Sequence, residues 1–520
     1  MRFSKRIILI TLAALVVIVL LANWGVNVWV NKKVPELLSE KNKTPYNFTY
    51  KDLVISIWSG DISAKDITIS PKESAKDSLK TGIYSTIKSV DIENFSIWSL
   101  LMTDLIKAKS ITVNQPEVVL YQKDDEKRDD SEKLRSGVVK PLQQIISVKN
   151  LFLKEGDVKI LTSKMRKPLL HAANINVTLE GIVVSDVILK RKIPFSIDKY
   201  AFSCDSIFYK TDVNYHLKAA DIKTQNSGLT LKDFAYVPDI GRSAFVKSLK
   251  KEKDLYDLKA KSVEIKNMDA GYKDEKIFFN ANAIVLDKLT ADIYRSKMPT
   301  DDLSKKKLYN QLLRDLKFPM KVDTLAIRNS LLVYEEEINF ERGPGVITFN
   351  NFNLTATNIQ SGFGQQKMDD LKIRIDCNFM NTSPMKVDWR LNVLDKTDGF
   401  NIRGSIFKFD TSKLVTFTKP YMNLTQQGIF DEVYFNIVGN DVKSKGDFGL
   451  KFHDLKVTLY KKKDPEKKAK LKSAIANLLV KKNSDDKLKE TEVEVTRVPE
   501  KSFYNFFWLN IMEGLKKILI

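Results

Sequence analysis

The stretch "KSITVNQPEVVLYQ", residues 109–122, places apolar residues at alternate positions on both sides of a short polar break. Three further stretches repeat this arrangement: "KNLFLKEGDVKILT" from Lys149, "KSVEIKNMDAGYKD" from Lys261 and "DTLAIRNSLLVYEE" from Asp323. Because side chains alternate between the two faces of a β-strand, each stretch predicts a strand, a polar corner and a second strand. The chain therefore repeats one small β unit that has an apolar face.

The same period-two alternation runs from about residue 50 to residue 460. Strict alternation with one apolar face is typical of antiparallel sheet. Short helical patterns precede the second, third and fourth copies of the unit, and the last of these, 301–319, ends at Pro319. The copies are irregularly spaced, so the sequence predicts a recurring supersecondary unit and not a fixed-period solenoid.

One or two β-sandwiches, whose apolar faces pack on each other, would explain the same pattern. Alternation alone does not distinguish a face covered by protein from a face covered by lipid. Two observations favour an uncovered face. No Pro/Gly/Ser-rich linker divides residues 50–460 into separate cores, and many strands offer one aliphatic residue in two with few tryptophans.

The N-terminus predicts a membrane anchor. As a helix, the apolar segment from Ile7 to Trp29 would measure roughly 35 Å at about 1.5 Å per residue, enough to cross a ~30 Å hydrocarbon core. Trp24 and Trp29 lie near its far end, where aromatic side chains favour the membrane interface. The basic residues before it favour a cytoplasmic N-terminus. A cleaved signal peptide is the alternative, but no A-x-A-like site follows the segment.

The positive charge predicts an anionic partner. The 520 residues include 85 basic and 65 acidic side chains, a formal net charge of +20, which suits nucleic acid or lipid headgroups. An anchor that places the chain beyond residue 30 across the membrane removes the nucleic-acid interpretation. The lysine-rich stretch 461–482 predicts a basic amphipathic helix that lies on anionic lipid through Leu471, Ile475 and Leu478.

The end of the chain, "FYNFFWLNIMEGLKKILI" (503–520), predicts a short apolar-aromatic helix that is too short and too interrupted to span a bilayer. The first interpretation is a helix that caps the sheet; the alternatives are a helix that contacts the opposite membrane, docks on a partner or plugs the end of the groove. The expected membrane-contact residues are Phe503, Phe506, Phe507, Trp508 and Ile511.

No motif predicts catalysis. The histidines, His171, His216 and His453, lack metal-binding spacing, and Cys204 and Cys377 specify neither a zinc site nor a disulfide framework, although one disulfide between them stays open. Phosphate-binding loops and nucleophile elbows do not occur in the sequence. We therefore expect no enzyme, no catalytic residue, no metal and no cofactor.

The basic-flanked N-terminal span, followed by "ISIWSGDISAKDITISP" (55–71) and "KSVDIENFSIWSLLMTDLIKAKSITVNQPEVVLYQ" (88–122), resembles the AsmA family of bacterial envelope proteins. The C-terminal "KSFYNFFWLNIMEGLKKIL" (501–519) is similar to the ends of AsmA-like chains. The family resembles the chorein-type bridge proteins of eukaryotes, in which a long twisted sheet curls into a trough lined by apolar side chains. The resemblance covers about the first 120 and the last 20 residues.

The resemblance implies a mainly β fold: an elongated twisted antiparallel sheet curled into an apolar groove, with an N-terminal transmembrane helix and a few short connecting and C-terminal helices. It implies a single-pass protein of the bacterial inner membrane, with most of the chain in the periplasm. Such a protein would bind or convey phospholipids and contribute to outer-membrane lipid homeostasis or envelope biogenesis. Its partners would be membrane lipids and outer-membrane or other envelope proteins. A non-catalytic anchored scaffold for outer-membrane protein assembly is the alternative, and an enzyme with a dispersed site is a third.

The predicted organisation has four parts: a cytoplasmic tip and anchor (1–30), a chorein-like β/α segment (31–122), the β-groove sheet with short helical connections (123–460) and the two C-terminal helices (461–520). About twenty strands at ~4.8 Å would extend ~95 Å. For every predicted lining residue, a core position beneath a helix is the alternative, and a bulge would flip a strand. The predicted lining residues are Ile67, Ile69, Val90, Ile92, Ile111, Val113, Val263, Ile265, Leu325 and Ile327.

Overall fold

A computed structural model describes residues 46–56, 59–72, 80–96, 106–122, 146–184, 196–225, 227–273, 276–461, 464–468 and 481–520. The predicted anchor with Trp24 and Trp29, and the basic-helix residues Leu471, Ile475 and Leu478, lie outside these ranges. In the ranges themselves, no helix combines the length and the apolar character needed to cross a bilayer. The chain divides into two compact units between Lys232 and Asp233, called the N-terminal and the C-terminal unit.

The N-terminal unit is a sheet. β3 to β9 pair in sequence order, β1 and β2 both pair with β3, and every pair is antiparallel except the parallel pair β5–β6. The strands are β1 (Tyr46–Thr49), β2 (Asp52–Ser56), β3 (Asp61–Pro71), β4 (Gly82–Glu93), β5 (Ile106–Gln122), β6 (Ile146–Thr162), β7 (Pro168–Val184), β8 (Lys199–Lys210), β9 (Tyr215–Gln225) and β10 (Gly228–Pro238), which crosses the unit boundary.

The C-terminal unit adds helices to a second run of strands. Its strands are β11 (Asp254–Lys266), β12 (Asp269–Lys273), β13 (Lys276–Ser296), β14 (Met320–Glu337), β15 (Gly345–Gln360), β16 (Leu371–Phe379), β17 (Ser383–Leu391), β18 (Phe400–Asp410), β19 (Leu424–Gly439), β20 (Lys443–Lys461), β21 (Asp464–Lys468) and β22 (Lys489–Thr496). Its helices are α1 (Arg242–Ser248), α2 (Tyr309–Arg314), α3 (Val415–Met422) and α4 (Phe503–Leu519), with a 3-10 turn at Thr411–Leu414.

In this unit β11 and β12 both pair with β13, β13 pairs with β14 in parallel, and β14 to β20 follow one another in antiparallel pairs. β22 lies on the other edge of β20. β21 is a short strand paired with β20 at the start of the stretch in which we predicted the basic helix.

The prediction of a mainly β protein is confirmed, but the sheet is mixed where we predicted an antiparallel one. β5–β6 and β13–β14 are parallel. A parallel neighbour requires a crossover connection of a dozen or more residues, whereas an antiparallel neighbour needs only a tight turn. The 297–319 connection before β14 contains α2, so the helical pattern predicted before the fourth copy of the unit belongs to such a crossover.

The predicted polar corners are left-handed kinks inside continuous strands. Gln115 in β5, Glu155 in β6 and Asn329 in β14 have φ of 48°, 55° and 51°, in the left-handed region. The strand continues on both sides of each of them, so the predicted strand–corner–strand unit is one bent strand. Only in the third copy does the left-handed residue, Asn267, separate two strands, and both of these pair with β13.

Left-handed residues of the N-terminal unit lie at matching positions across the sheet. Asp66, Gln115, Glu155, Asn174 and Asp221 all have positive φ, on β3, β5, β6, β7 and β9. Gln115 Nε2 donates to Glu155 Oε2 at 2.6 Å and links two of them. The pairing of β6 with β7 shifts register around Gly156, and a bulge of this kind bends its strand and increases the local twist.

Candidate functional site

The apolar residues of the N-terminal unit form cross-strand rows on one face of the sheet. Val90 pairs with Val113, and Ile92 pairs with Ile111. The rows continue across the parallel pair, where Ile111 lies beside Leu151. The structure therefore brings the predicted lining residues of β3, β4 and β5 together, as the alternation indicated.

This apolar face is sealed. Of the predicted lining residues, Ile111 is 2% exposed and Val113 is fully buried, while Ile69 and Val90 reach only 8%. Among the described residues of this unit, those packed around the cluster come from strands and their connections. This burial favours the alternative of a packed core over an uncovered groove in this unit. Six predicted lining residues are buried in this core: Ile67, Ile69, Val90, Ile92, Ile111 and Val113.

The C-terminal unit carries two equivalent rows that are only partly covered. In one, Val263 of β11 pairs with Leu286 of β13, which pairs with Ile327 of β14. In the other, Ile265 lies in register with Ile284, and Ile284 with Leu325. We call these residues and their continuation on β15 and β16 the open strip, and each is partly exposed: Val263, Ile265, Ile284, Leu286, Leu325, Ile327, Leu354, Ile373 and Ile375.

Four of the ten predicted lining residues therefore belong to the open strip. The other members, such as Ile284 and Ile373, were not predicted, although the segments "KIFFNANAIVLDKL" and "LKIRIDCNF" alternate clearly. Their alternation was visible, but only the strand register shows that they extend the same two rows.

The opposite face of the same strands is mainly polar. Next to Ile373 and Ile375, Arg374 points to this face, and it shares Asp388 of β17 with Arg403 of β18, each at 3.4 Å. These side chains are well exposed, so the ion pairs add little stability, but their charges keep this face hydrated. The sheet is amphipathic here, with one polar face and one apolar face.

The helix α4 covers the apolar rows farther along the sheet. Ile373 pairs with Trp389 of β17, and the Trp389 ring stacks on Phe503 of α4 at 4.5 Å between centroids and 7° between planes. Phe507 of α4 lies against Phe435 of β19 at 5.1 Å. The apolar face is thus partly exposed over β11–β16, apart from the buried Ala356 and Leu371, and is closed by α4 from β17 onward.

Two of the predicted membrane-contact residues are consequently core residues. Phe503 is 5% exposed and Phe506 is 1% exposed, because both pack on the sheet. Phe507, Trp508 and Ile511 are partly exposed on the same helix. The interpretation of a helix that caps the sheet describes α4.

Close contacts fix the position of α4 on the sheet. Asn510 is almost fully buried; its Oδ1 accepts from the Ser444 hydroxyl at 2.9 Å, and its amide donates to the Phe506 carbonyl. A Cβ on Gly514 would come within 2.3 Å of the Phe448 ring. The helix therefore approaches β20 as closely as glycine permits.

The titratable groups on strands form pairs. His171 Nε2 lies 2.9 Å from Asp157, and His453 Nδ1 lies 2.9 Å from Asp431. Cys204 and Cys377 are both buried free cysteines, so the disulfide considered in the sequence analysis is not formed. Burial raises the pKa of the Cys377 thiol to about 12. Over the described part of the chain, no cluster of histidine, cysteine or acidic side chains could hold a metal ion.

A dense charged network lies at one end of β11–β14. Arg295 binds Asp254 through Nε and Nη2 at 2.5 and 2.8 Å, and Lys297 Nζ lies between Glu252 and Glu336 at 3.1 and 3.4 Å. Burial and the nearby Asp301 raise the pKa of Glu252.

Comparison with known proteins assigns no family: no protein-family model matches the chain, and no curated protein sequence matches it.

Proposed function

We propose that this chain is an AsmA-type envelope protein that binds or conveys phospholipids along the apolar face of its β-sheet. The open strip carries the proposal. It joins apolar rows in register across five strands, and its members are partly exposed; in one row the β15 position is Ala356, which is buried. Contiguous exposed apolar surface on a folded protein marks an interaction site more often than chance.

The dimensions of the strip suit an acyl chain. Five strands about 4.8 Å apart place the first and last strand roughly 20 Å from each other. One leaflet of a bilayer has a hydrocarbon depth of about 15 Å, half of a ~30 Å core. An acyl chain lying across the strands would therefore find aliphatic side chains along its whole length.

The mechanism we propose is passive. Each methylene exposed to water costs about 0.8 kcal/mol, so a lipid leaves a bilayer only if another apolar surface takes its chains. The two rows of the open strip offer such a surface, while the headgroup stays in water at the open side. No bond forms or breaks in this process.

The helix α4 sets a limit to movement along the sheet. It occupies the apolar face from β17 onward, with Trp389 and Phe503 in direct contact. A lipid held on β11–β16 can pass this point only if α4 moves. Binding is therefore the function that this arrangement supports directly, and conveyance requires release of α4.

The charge and the N-terminal sequence support a place at a membrane. The net charge of +20 favours anionic lipid surfaces, and residues 1–30 are predicted to anchor the chain in the bacterial inner membrane with the bulk in the periplasm. Membrane phospholipids and envelope proteins are the proposed partners.

A non-catalytic scaffold for envelope assembly is the second candidate. The sealed face of the N-terminal unit favours it, since those residues have the burial of an ordinary core. In that case the open strip would bind a protein and not a lipid.

Lipid retention by the full-length chain tests the proposal. We expect the purified protein to carry phospholipid, measured by mass spectrometry of the extracted lipids. Ile327→Asp places a charge in the open strip and should lower the retained lipid about tenfold or more, because a buried charge opposes an apolar ligand. The matched control is Thr355→Asp, at an exposed position on the polar face of β15. Equal retention by both variants, or no lipid in the unmutated protein, would favour the scaffold.

A further inference from the structure

The indole nitrogen of Trp389 is a buried hydrogen-bond donor that has no acceptor. Trp389 lies in β17 and is 8% exposed, and its Nε1 is shielded from water. In the part of the chain that the structure describes, no atom accepts a hydrogen bond from this N–H. Because nearly all buried polar groups in folded proteins have a partner, an unpartnered donor of this kind needs a physical reason.

Trp389 stands at the border of the open strip. On β16 its cross-strand partner is Ile373, a partly exposed member of the strip. On β18 its partner is Ile402, which is buried. The donor therefore lies between the exposed and the covered part of the apolar face.

The rings that pack on the indole do not satisfy its N–H. Phe503 stacks on the face of the indole at 7° between planes, whereas the N–H lies in the ring plane and points out from its edge. Tyr309 of α2 meets the indole at 5.2 Å between centroids and 80° between planes, and an aromatic ring is at best a weak acceptor. The Tyr309 hydroxyl is directed to Tyr504, to which it donates at 3.3 Å.

We infer that the Trp389 N–H donates to an ester carbonyl oxygen of a phospholipid whose acyl chain lies on the open strip, an inference that rests on the proposed function. In a phospholipid the ester carbonyl is the first polar group at the end of each acyl chain. A chain that lies across the strands from β11 to β16 places this carbonyl beside β17. The side chains at the edge of the indole must shift to admit it, and the gain is a hydrogen bond for a donor that otherwise has none.

This contact narrows the proposed ligand to acyl esters of glycerol. A diether lipid of the same chain length offers the strip the same methylenes but has no carbonyl oxygen. A site built around a polar group discriminates against a ligand that lacks the matching group, because the protein donor is then left unpaired. The open strip would supply the affinity for both lipids, and Trp389 the selectivity between them.

Competition between two lipids tests the contact. The full-length chain in detergent is incubated with equal amounts of dipalmitoyl phosphatidylglycerol and its dihexadecyl ether analogue, and the retained lipids are quantified by mass spectrometry. We expect the unmutated chain to retain about fivefold more ester than ether lipid, as one hydrogen bond allows. Trp389→Phe keeps an aromatic ring against Phe503 and removes the donor, so the ratio should fall to about one.

The matched control is Trp508→Phe, at a partly exposed position of α4, which should keep the ratio of the unmutated chain. Both lipids compete within one sample, so a variant that binds less of both because its packing is altered keeps its ratio. An unmutated ratio near one, or the same ester preference in Trp389→Phe as in the unmutated chain, would overturn the inference. Loss of the preference in both tryptophan variants would also overturn it, since the Trp389 N–H would then not be the cause.

Failure of this contact and failure of the proposed function give different results. If Ile327→Asp releases both lipids while the unmutated chain shows no ester preference, the proposed function stands and the Trp389 contact fails. If the unmutated chain retains neither lipid, the proposed function fails, and the contact fails with it.

Discussion

The two units use the same kind of strand but cover it differently. Both alternate apolar and polar residues, and both carry left-handed bulges such as Glu155 and Asn329. In the N-terminal unit Ile111 is 2% exposed, whereas its counterpart in the C-terminal unit, Ile327, is partly exposed. Equal sequence patterns thus lead to a sealed core in one unit and an accessible surface in the other.

The same contrast appears within the C-terminal unit. Ile373 and Trp389 are paired on neighbouring strands, yet Ile373 is partly exposed and Trp389 is 8% exposed. The difference is the cover of Trp389 by two helices: Phe503 of α4 stacks on its ring, and Tyr309 of α2 lies 5.2 Å from it. What covers a strand, and not the strand itself, decides whether its apolar face can accept a ligand.

The largest expected effect separates the two units directly. Ile111→Asp buries a charge in a sealed core, so we expect a loss of about 4 kcal/mol or more in the free energy of unfolding. In Ile327→Asp the new carboxylate reaches solvent, so we expect a loss of only about 1–2 kcal/mol in the free energy of unfolding. Urea unfolding followed by circular dichroism measures both. Similar losses at the two positions would remove the distinction between a sealed face and an open one.

A second prediction concerns the cover of the C-terminal unit. Gly514→Val forces β-branched bulk against the Phe448 ring, and overpacking of this kind costs about 1–3 kcal/mol. We expect α4 to loosen, so that hydrogen exchange of residues 503–519 becomes faster while the N-terminal unit is unchanged. Met512→Val, at a position 37% exposed on the same helix, is the control. Unchanged protection of α4 in Gly514→Val would mean that the close approach does not hold the helix.

A third prediction tests the feature that both units share. Asn tolerates the left-handed region better than other non-glycine residues, so Glu155→Asn should stabilise the chain slightly. Asn329→Val should destabilise it by about 1–2 kcal/mol, because a β-branched residue opposes φ of 51°. The shift of the urea midpoint measures each change. A neutral Asn329→Val variant would show that the bulge is not required at that position.

The smallest effect is a pH dependence in the C-terminal unit. The hydrogen bond to Asp431 raises the pKa of His453 above its ordinary value of 6.5. Because the folded pKa is raised, the added stability is present below pH 6.5 and is lost as the pH rises through the folded value. His453→Gln should therefore lower the urea midpoint at pH 6 and leave it unchanged at pH 9. Because the pair is exposed, we expect the effect to be small. A difference in urea midpoint between the variant and the unmutated chain that grows with pH would contradict the assignment.

The sequence was sufficient to predict which side chains share a face. That Ile111 and Val113 share a face, and that Leu325 and Ile327 do, follows from alternation alone, and the structure places the members of each pair in adjacent rows of one face. Alternation also predicted a mainly β fold. These properties are local, since each depends only on residues two positions apart.

Other features depend on contacts between distant segments and were missed. The polar corner at Gln115 was interpreted as a break, because a left-handed kink and a turn use the same residue types. The parallel pair β13–β14 follows from a crossover that contains α2, and the burial of Phe503 follows from the docking of α4 on β17. The alternation within one strand does not indicate which other segment of the chain packs on that strand.

Site-specific photocrosslinking tests the central claim most directly. A benzoylphenylalanine at Ile327 should crosslink to phospholipid in membranes that contain the full-length chain, and one at Arg328, the exposed neighbour on the polar face, should not. Lipid adducts are detected by mass spectrometry of the purified protein. An adduct at Ile327 alone is the predicted result; equal labelling at both positions, or protein adducts alone at Ile327, would contradict a lipid-binding face.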